Sequence, residues 1–191
     1  LTGTLPITIN NYSYLLNLLL NNNNFSGNIP ELNLPKLQWL SLANNNLSGT
    51  IPPSIFSKHL HNLDLSNNQL SGVIPDSWRE LKFLKYLYLN NNLLSGSFKT
   101  SNNYFPHNTI NLSNNKLSGI IKNLINFQVD TLILSNNNFS GDIGTNFATI
   151  SYLDIRNNYY MKSTMNNTAL KEAFTPLDVY TIQDNFICNC V

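Results

Sequence analysis

Apolar residues recur along this chain at fixed positions around a series of asparagines. Each asparagine follows one apolar residue by five positions and a second by three, and it precedes a third by two. The intervals between successive asparagines are 22, 23, 24, 23, 22, 21 and 27 residues. Such a period indicates a stack of supersecondary units, each of which buries its apolar face against its neighbours. These repeat asparagines are Asn23, Asn45, Asn68, Asn92, Asn115, Asn137, Asn158 and Asn185.

The two apolar residues before each repeat asparagine enclose one variable residue, as in Leu40-Ser41-Leu42. A period of two predicts a short strand with one buried face. If each unit contributes one strand, the strands are parallel, lie about 4.8 Å apart and form one continuous sheet. The variable residues then cover its outer face, which is the candidate binding surface.

The chain must turn back after each strand, and the backbone groups freed at that corner need partners. A primary amide donates and accepts at once, so stacked repeat asparagines are predicted to bridge the backbones of adjacent turns. Asn also tolerates left-handed backbone better than most residues. A second, flanking strand is predicted to end at a proline in the first repeats and at a lysine or a glycine in the later ones. We therefore expect this strand to be less regular in the C-terminal half of the chain. The residues at this position are Pro30, Pro52, Pro75, Lys99, Lys122 and Gly144.

The unit from Leu37 to Pro52 has the pattern L-x-x-L-x-L-x-x-N-x-L-S-G-x-I-P, and the pattern recurs from Leu60 to Pro75. It resembles the leucine-rich repeat family, and its second half resembles the subtype of plant extracellular receptors and polygalacturonase-inhibiting proteins. The resemblance implies an α/β-type solenoid over residues 1–187. It also implies a right-handed superhelix of about eight repeats, with one parallel β-sheet on the concave face and mostly loops and 3-10 turns on the convex face.

Both ends of the chain depart from the repeat. Residues 1–9 read as a partial first repeat with no capping element before it. Residues 185–191 resemble the start of a truncated, cysteine-containing C-terminal cap, whose two later cysteines would lie past Val191. Cys188 and Cys190 are the candidate disulfide cysteines, although residues two apart are poorly placed to bridge each other. Free thiols and a metal site are the alternatives.

An insertion at about residues 161–176 lengthens the last interval. Within it, residues 168–174 contain good helix formers after a threonine that can cap them, and a proline at 176 disfavours continuation. We expect a short helix that shields the last layers of the stack, with a binding loop as the alternative.

Composition excludes several classes of function. Charged residues make up 11% of the chain and the formal net charge is +1, without the basic stripe or cluster expected of a nucleic-acid or membrane-surface binder. No apolar run approaches the roughly 20 residues that cross a bilayer, so no direct membrane insertion is predicted for this fragment. No cofactor or resident metal is predicted.

Aromatic residues on the predicted sheet face give the candidate contact site. Trp39, Tyr86 and Tyr88 come from repeats two apart and are expected to form one anchor cluster, because exposed aromatics among small polar residues are typical of protein-contact surfaces. The alternative is ordinary packing between strands. The full candidate site is Trp39, Asp64, Tyr86, Tyr88, Tyr152, Asp154 and Arg156.

No catalytic residues are predicted. Asp64 and Asp154 share the outer face, but four strand spacings place them roughly 19 Å apart, beyond the reach of paired glycosidase carboxylates. His59 and His61 could face one side, yet no third ligand or nucleophile is evident near them.

Sequons for N-glycosylation are frequent, although many arise by chance in a repeat rich in Asn and Ser. Sites beside a repeat asparagine are expected to be exposed, whereas a glycan on Asn111 would obstruct the binding face. The six candidates are Asn11, Asn24, Asn46, Asn111, Asn138 and Asn166.

Three functions remain open. The first is an extracellular, secreted or cell-surface recognition module that binds a protein or peptide on the concave face. Receptors of this resemblance often hold a peptide carboxylate with Arg-x-Arg, and here Arg156 is followed by two asparagines. The second is an inhibitor of a secreted cell-wall-degrading enzyme. The third is a structural subunit of an extracellular fibre or matrix, which self-associates through uncapped ends. For an ice-binding surface, the outward positions are too varied.

Overall fold

The computed structural model describes residues 1–99, 108–120, 129–142 and 150–162. These residues form fifteen short strands and three 3-10 helices, Ile7–Asn11, Pro53–Ile55 and Asp76–Glu80. In chain order the strands are β1 (Thr2–Gly3), β2 (Asn17–Leu19), β3 (Asn24–Asn28), β4 (Trp39–Ser41), β5 (Asn46–Thr50), β6 (Asn62–Asp64), β7 (Gln69–Gly72), β8 (Tyr86–Tyr88), β9 (Leu93–Ser97), β10 (Thr109–Asn111), β11 (Lys116–Ile120), β12 (Thr131–Ile133), β13 (Asn137–Asp142), β14 (Tyr152–Asp154) and β15 (Asn158–Lys162).

The strands form two parallel sheets that run along the stack. The front sheet has seven strands in the order β14-β12-β10-β8-β6-β4-β2, and the side sheet has eight strands, from β1 through every odd-numbered strand to β15. Each turn of the chain therefore contributes one strand to each sheet. The predicted solenoid is confirmed, with seven front strands in the described residues against about eight repeats expected. The eighth, around Asn185, lies outside them.

The core lies between the two sheets. In the front sheet the central residue of each strand pairs with the central residue of the next, so leucines and one isoleucine form a continuous buried row. Apolar residues of the side sheet, such as Leu47 and Leu70, close the core from a second direction. Trp78 fills one turn and stacks on Phe98, with ring centroids 4.7 Å apart. One turn thus buries its apolar face only against the turns beside it.

The repeat asparagines bridge the backbones of adjacent turns. Asn92 shows the arrangement: its Nδ2 donates to Leu89 O at 3.1 Å and to Leu65 O of the preceding turn at 3.0 Å. Its Oδ1 accepts from the Leu70 backbone N–H at 2.9 Å. Equivalent bonds are made by the repeat asparagines at the same phase, Asn45, Asn68, Asn115, Asn137 and Asn158.

A second file of asparagines runs beside the first and is exposed. Each member directly precedes a repeat asparagine and has φ between 54° and 57°. The left-handed backbone that the sequence reasoning assigned to the repeat asparagines therefore belongs to these residues instead. Their amides also bond to one another from turn to turn, for example Asn114 Nδ2 to Asn91 Oδ1 at 2.7 Å. The outer asparagines are Asn22, Asn44, Asn67, Asn91, Asn114, Asn136 and Asn157.

The side sheet differs from the front sheet in register. From β1 to β13 each strand is offset by two residues relative to the next, so that Ser48 pairs with Gln69 and Ser71 pairs with Leu93. The described side-sheet strands after Pro75 are as long as those before it. Among them, the expected loss of regularity is a shift of register between β13 and β15. The serines of successive Ser-Gly pairs consequently follow a diagonal, and each row across the sheet mixes different residue types.

Glycine at the bend of β7 has a steric reason. Gly72 has a φ of +77°, and a Cβ there would meet Thr50 Cγ2 at 2.9 Å. Positive φ and this close approach both favour glycine.

The two terminal predictions fall largely outside the described residues. Residues 161 and 162, the start of the predicted insertion, belong to strand β15. Residues 163–176 and the segment 185–191, with Cys188 and Cys190, lie outside the described part of the chain.

Candidate binding site

The outer face of the front sheet carries two rows of side chains, because residues two apart on a strand face the same side. Register partners place residues of neighbouring turns next to one another in each row. The first row contains Asn17, Trp39, Asn62, Tyr86 and Thr109, and the second contains Leu19, Ser41, Asp64, Tyr88 and Asn111.

Three aromatic side chains dominate the N-terminal half of this face. Trp39 is 45% exposed and Tyr86 is 39% exposed, whereas Tyr88 is half-buried. The rings of Tyr86 and Tyr88 stack with centroids 6.2 Å apart and an interplanar angle of 17°. Trp39 lies two strands away from them, with the smaller Asn62 between. The structure therefore brings together the three aromatics that the sequence grouped.

A shallow depression of about 260 Å³ lies between these rings. Ser41 and Asn62, which have small side chains, form its floor. Leu19 and Trp39 form the wall on one side, and Tyr86 and Tyr88 form the wall on the other. Hereafter we call this feature the aromatic depression. The sequence prediction omitted Leu19, Ser41 and Asn62 from the site. The signal for them was the mixture of small and large residues along the two outward positions of the repeat.

The electrostatics of the aromatic depression are set by Asp64. Partial burial, followed by the charges of Tyr86 and Asp64, raises the pKa of Tyr88 above its ordinary value, and a hydrogen bond with Thr109 opposes this shift only in part. Tyr88 is therefore a neutral phenol at physiological pH, and Asp64 is the acidic side chain among the residues that line the depression.

Asp64 is held by a local turn at the end of its strand. Its Oδ1 accepts from Ser66 N at 3.0 Å and from Ser66 Oγ at 2.6 Å. Asn111 repeats this arrangement with Ser113 two turns later, at 3.1 and 2.7 Å. Asp and Asn side chains characteristically bond the backbone two residues on. The turn fixes one carboxylate oxygen of Asp64 and uses the serine that follows the strand.

The C-terminal part of the predicted site is different, and the prediction that Asp154 is an exposed contact residue is wrong. Asp154 is 3% exposed, because Arg156 covers it with Nε to Oδ1 and Nη2 to Oδ2 bonds, both of 2.8 Å. Burial alone would raise the pKa of Asp154, but hydrogen bonds from the Arg156 side chain and backbone and from Ser135 outweigh it, so the pKa is lowered. The ion pair between Asp154 and Arg156 therefore has a structural role at the end of β14.

The residues of the predicted site thus fall into two groups. Tyr152 and Arg156 are half-buried in or just after β14, three strand spacings, roughly 14 Å, from the tyrosines of β8. Four of the residues that follow the front strands by two positions are buried: Ala43, Ser66, Ser113 and Ser135. The accessible site is therefore the aromatic depression with Asp64.

The two histidines do not share a site. His59 Nδ1 lies 2.9 Å from Pro35 O, whereas His61 stacks on Phe83 with centroids 5.8 Å apart. Within residues 1–99, 108–120, 129–142 and 150–162, three or more metal-ligating side chains do not cluster anywhere.

Four of the candidate glycosylation asparagines are exposed. Asn24, Asn46 and Asn138 lie on side-sheet strands, and Asn11 ends the first 3-10 helix. Asn111 is half-buried on the front sheet, where its Oδ1 is engaged by Ser113. Asn166 lies outside the described residues. The sequons at Asn24, Asn46 and Asn138 therefore lie off the front sheet.

Comparison with known proteins agrees with this geometry. The family model described as leucine rich repeat matches residues 35–94. One chain of the BIR3–SERK2 complex from Arabidopsis thaliana is 36% identical, with a TM-score of 0.55, and the match covers 65% of this chain and 69% of that one. The chain belongs to the leucine-rich repeat family. Its repeats are of the plant type.

Two further structures similar to this chain are a receptor kinase and an ice-binding protein. The Arabidopsis receptor kinase HAESA, solved with the peptide hormone IDA and the co-receptor SERK1, is 29% identical with a TM-score of 0.74; the match covers 84% of this chain and 28% of that one. A plant ice-binding protein is 26% identical with a TM-score of 0.67, and the match covers 93% of this chain and 66% of that one. The chain thus spans just over a quarter of the receptor chain.

A search of curated protein sequences found no match to this leucine-rich repeat chain. Within the described residues, none of the helices has the length and apolar character needed to cross a bilayer.

Proposed function

We propose that this leucine-rich repeat chain is an extracellular recognition module that binds a protein or peptide partner on the front face. The observation that carries the proposal is the aromatic depression: three clustered rings, two of them well exposed, lie on a rigid sheet beside a carboxylate. Aromatic anchors with a polar surround are the usual hot spots of protein interfaces. Similarity to HAESA, whose structure contains a peptide hormone, supports a peptide as the partner.

The size of the front face fits a short extended peptide. Seven parallel strands at about 4.8 Å span roughly 29 Å, which an extended chain crosses in about 9 residues. Main-chain groups of the sheet are already paired with neighbouring turns. Side chains must therefore provide the affinity, and the aromatic depression offers the exposed apolar side chains Leu19, Trp39 and Tyr86 for this purpose.

A selection from a displayed library of random peptides of about 12 residues tests the proposal, since that length can cross the whole sheet. We expect enriched peptides to lose at least about 30-fold in affinity for Trp39→Ala and Tyr86→Ala variants, as for hot-spot residues of about 2 kcal/mol or more. Leu93→Ala is the matched control, because Leu93 is 46% exposed but lies on the side sheet. Failure to enrich peptides, or equal losses for all three variants, would contradict the proposal.

The resemblance to an ice-binding protein does not lead to a second candidate function. Ice recognition requires a regular surface array, and the two-residue offset in the side sheet places Thr50, Ser71 and Leu93 in one row. We expect no thermal hysteresis from the purified chain. A measurable freezing-point gap would contradict this reasoning and redirect attention to the side sheet.

A further inference from the structure

Asp64 differs from the other acidic residue of the front sheet in one respect. Both carboxylate oxygens of Asp154 are bound by Arg156. Asp64 has its Oδ1 engaged by Ser66, whereas its Oδ2 has no hydrogen-bond partner and no ion pair among the residues that the structure describes. The half-buried Asp64 thus keeps one acceptor oxygen available beside the aromatic depression.

The residues that line the aromatic depression beside Asp64 are mainly aromatic and aliphatic. Trp39 lies on the strand before Asp64, and Tyr86 and Tyr88 lie on the strand after it, with Tyr88 as its direct register partner. Leu19 adds an aliphatic wall at the far side of Ser41. A carboxylate among aromatic rings attracts cations twice, through the charge itself and through the negative faces of the rings.

Other classes of side chain fit this environment poorly. An acidic group would be repelled by Asp64 at close range. A purely apolar group would remove water from the free Oδ2 without replacing its hydrogen bond, which is costly for a charged oxygen. A long basic side chain satisfies both requirements, because its methylene stem packs on apolar surface while its charged end reaches a polar group.

We propose that the aromatic depression is a subsite for a lysine or arginine side chain of an extended peptide, with Asp64 Oδ2 as the acceptor and Trp39, Tyr86 and Tyr88 as the walls. This inference rests on the proposed function and names the ligand chemistry of the same site. Since Oδ1 is occupied by Ser66, the carboxylate offers one oxygen and not a bidentate pair. The subsite therefore accepts lysine and arginine alike, because a single free oxygen cannot form the bidentate bond that favours arginine at other carboxylates.

The experiment uses peptides enriched on the wild-type chain and synthesised with single replacements. We expect the enriched sequences to share a basic residue at one position. Replacement of that residue by citrulline or norleucine, which removes the charge and keeps the length, should weaken binding about tenfold, the value of a charge-assisted hydrogen bond of roughly 1.4 kcal/mol. Asp64→Asn should produce at least the same loss, because the amide keeps an acceptor oxygen for Ser66 and replaces the charged Oδ2 with an NH2 donor.

A double-mutant cycle links the two changes. The neutral peptide should bind the wild-type chain and the Asp64→Asn variant equally, since the interaction is then already absent. Asp76→Asn is the matched control, because Asp76 is an exposed carboxylate paired with Lys99 away from the front face, and it should leave affinity unchanged. Thermal melting of each variant shows whether it has folded.

The possible results separate the two proposals. If peptides bind through Trp39 and Tyr86 but carry no shared basic residue, or are indifferent to Asp64→Asn, the basic subsite is wrong and the front-face proposal stands. If no peptide is enriched, or binding ignores both aromatic variants, the proposed function fails and the subsite fails with it. A shared basic residue coupled to Asp64 supports both.

Discussion

Removing one repeat asparagine from the middle of the stack tests the account of how adjacent turns are joined. Asn92 is suited to this purpose because it is 6% exposed and its hydrogen bonds are all assigned. In Asn92→Ala the backbone N–H of Leu70 loses its acceptor at 2.9 Å. This N–H belongs to a buried residue, and water cannot replace the lost oxygen without disturbing the core.

The bonds that Asn92 Nδ2 donates to Leu65 O and Leu89 O are less critical. Its third bond, to Asn90 O, is long at 3.4 Å, and Asn90 O also accepts from Asn67 N at 3.0 Å. Leu65 O also accepts from Asn68 Nδ2 at 3.2 Å, and Leu89 O also accepts from Asn115 Nδ2 at 3.0 Å. Each carbonyl therefore keeps one partner when Asn92 is removed.

The expected loss of stability follows from the Leu70 N–H, Leu65 O and Leu89 O. The buried N–H without a partner costs about 1–3 kcal/mol, and each weakened carbonyl costs roughly 0.5 kcal/mol. The free energy of unfolding should fall by about 3 kcal/mol. For a chain of this size that corresponds to a decrease in Tm of roughly 6–12 °C.

Equilibrium unfolding in urea, followed by circular dichroism and tryptophan fluorescence, measures this change. The control is Asn91→Gly, which removes an exposed amide and retains a residue that tolerates the φ of 56°. It should cost less than about 1 kcal/mol, since its side-chain bonds are exposed to water. If Asn92→Ala costs no more than Asn91→Gly, the repeat asparagines do not hold the turns together in the way described.

Three further predictions concern backbone, charge and core. Gly72→Ala should lower stability by about 1–2 kcal/mol in thermal melts, because Cβ would meet Thr50 at 2.9 Å, whereas Gly3→Ala should cost less because nothing lies within 4 Å. The folded-state pKa of Asp154 lies below its unfolded value, so its stabilisation is complete above the unfolded pKa and is lost as pH falls through the folded pKa. The stability difference between the wild type and Asp154→Asn should therefore shrink in acid unfolding as the pH falls below the ordinary pKa of an aspartate. Trp78→Ala should cost about 3–5 kcal/mol in urea unfolding, since Trp78 is fully buried. A loss below 1 kcal/mol would show that neighbouring side chains refill its space.

The strands and the buried face could be predicted because the repeat leaves little choice. Apolar residues such as Leu63 and Leu65 flank one variable position, and a single period of two satisfies both burial and pairing. The spacing of each repeat asparagine from these residues also identified which amide of an Asn run enters the corner. Local chemistry and repetition specify the same structure here.

The left-handed positions were harder to identify. Asn67 and Asn68 are adjacent and have the same side chain, so the spacing that identifies Asn68 as the bonding residue does not show which of the two adopts left-handed backbone. The φ of 55° at Asn67 results from the path of the chain out of the front strand. The two-residue offset of the side sheet was also not predicted, because aligning repeats by phase assumes that equivalent residues pair.

The sequence identified the aromatic residues and Asp64 of the candidate site but neither the smaller lining residues nor the exposure of each side chain. The aromatics came together because equal phase in the repeat means proximity in the sheet. Asp154 was misjudged because the sequence shows a charge on the outer face and not whether a neighbour covers it. Residues two apart on a strand share a face, so the opposite charge of Arg156 was the available signal. Asp64 is followed at the same distance by Ser66, which leaves it open.

The hydrogen bonds of the repeat asparagines to other turns span only 19 to 27 residues of sequence. No turn in the described part of the chain therefore depends on a distant segment for its backbone partners. Duplication of one whole unit would insert a new front strand and a new side strand between existing ones, with every interrupted bond remade by an identical group. Gene duplication and unequal crossing-over can thus lengthen the front sheet one strand at a time, and selection then acts on two or three outward side chains per added unit while the interior stays unchanged.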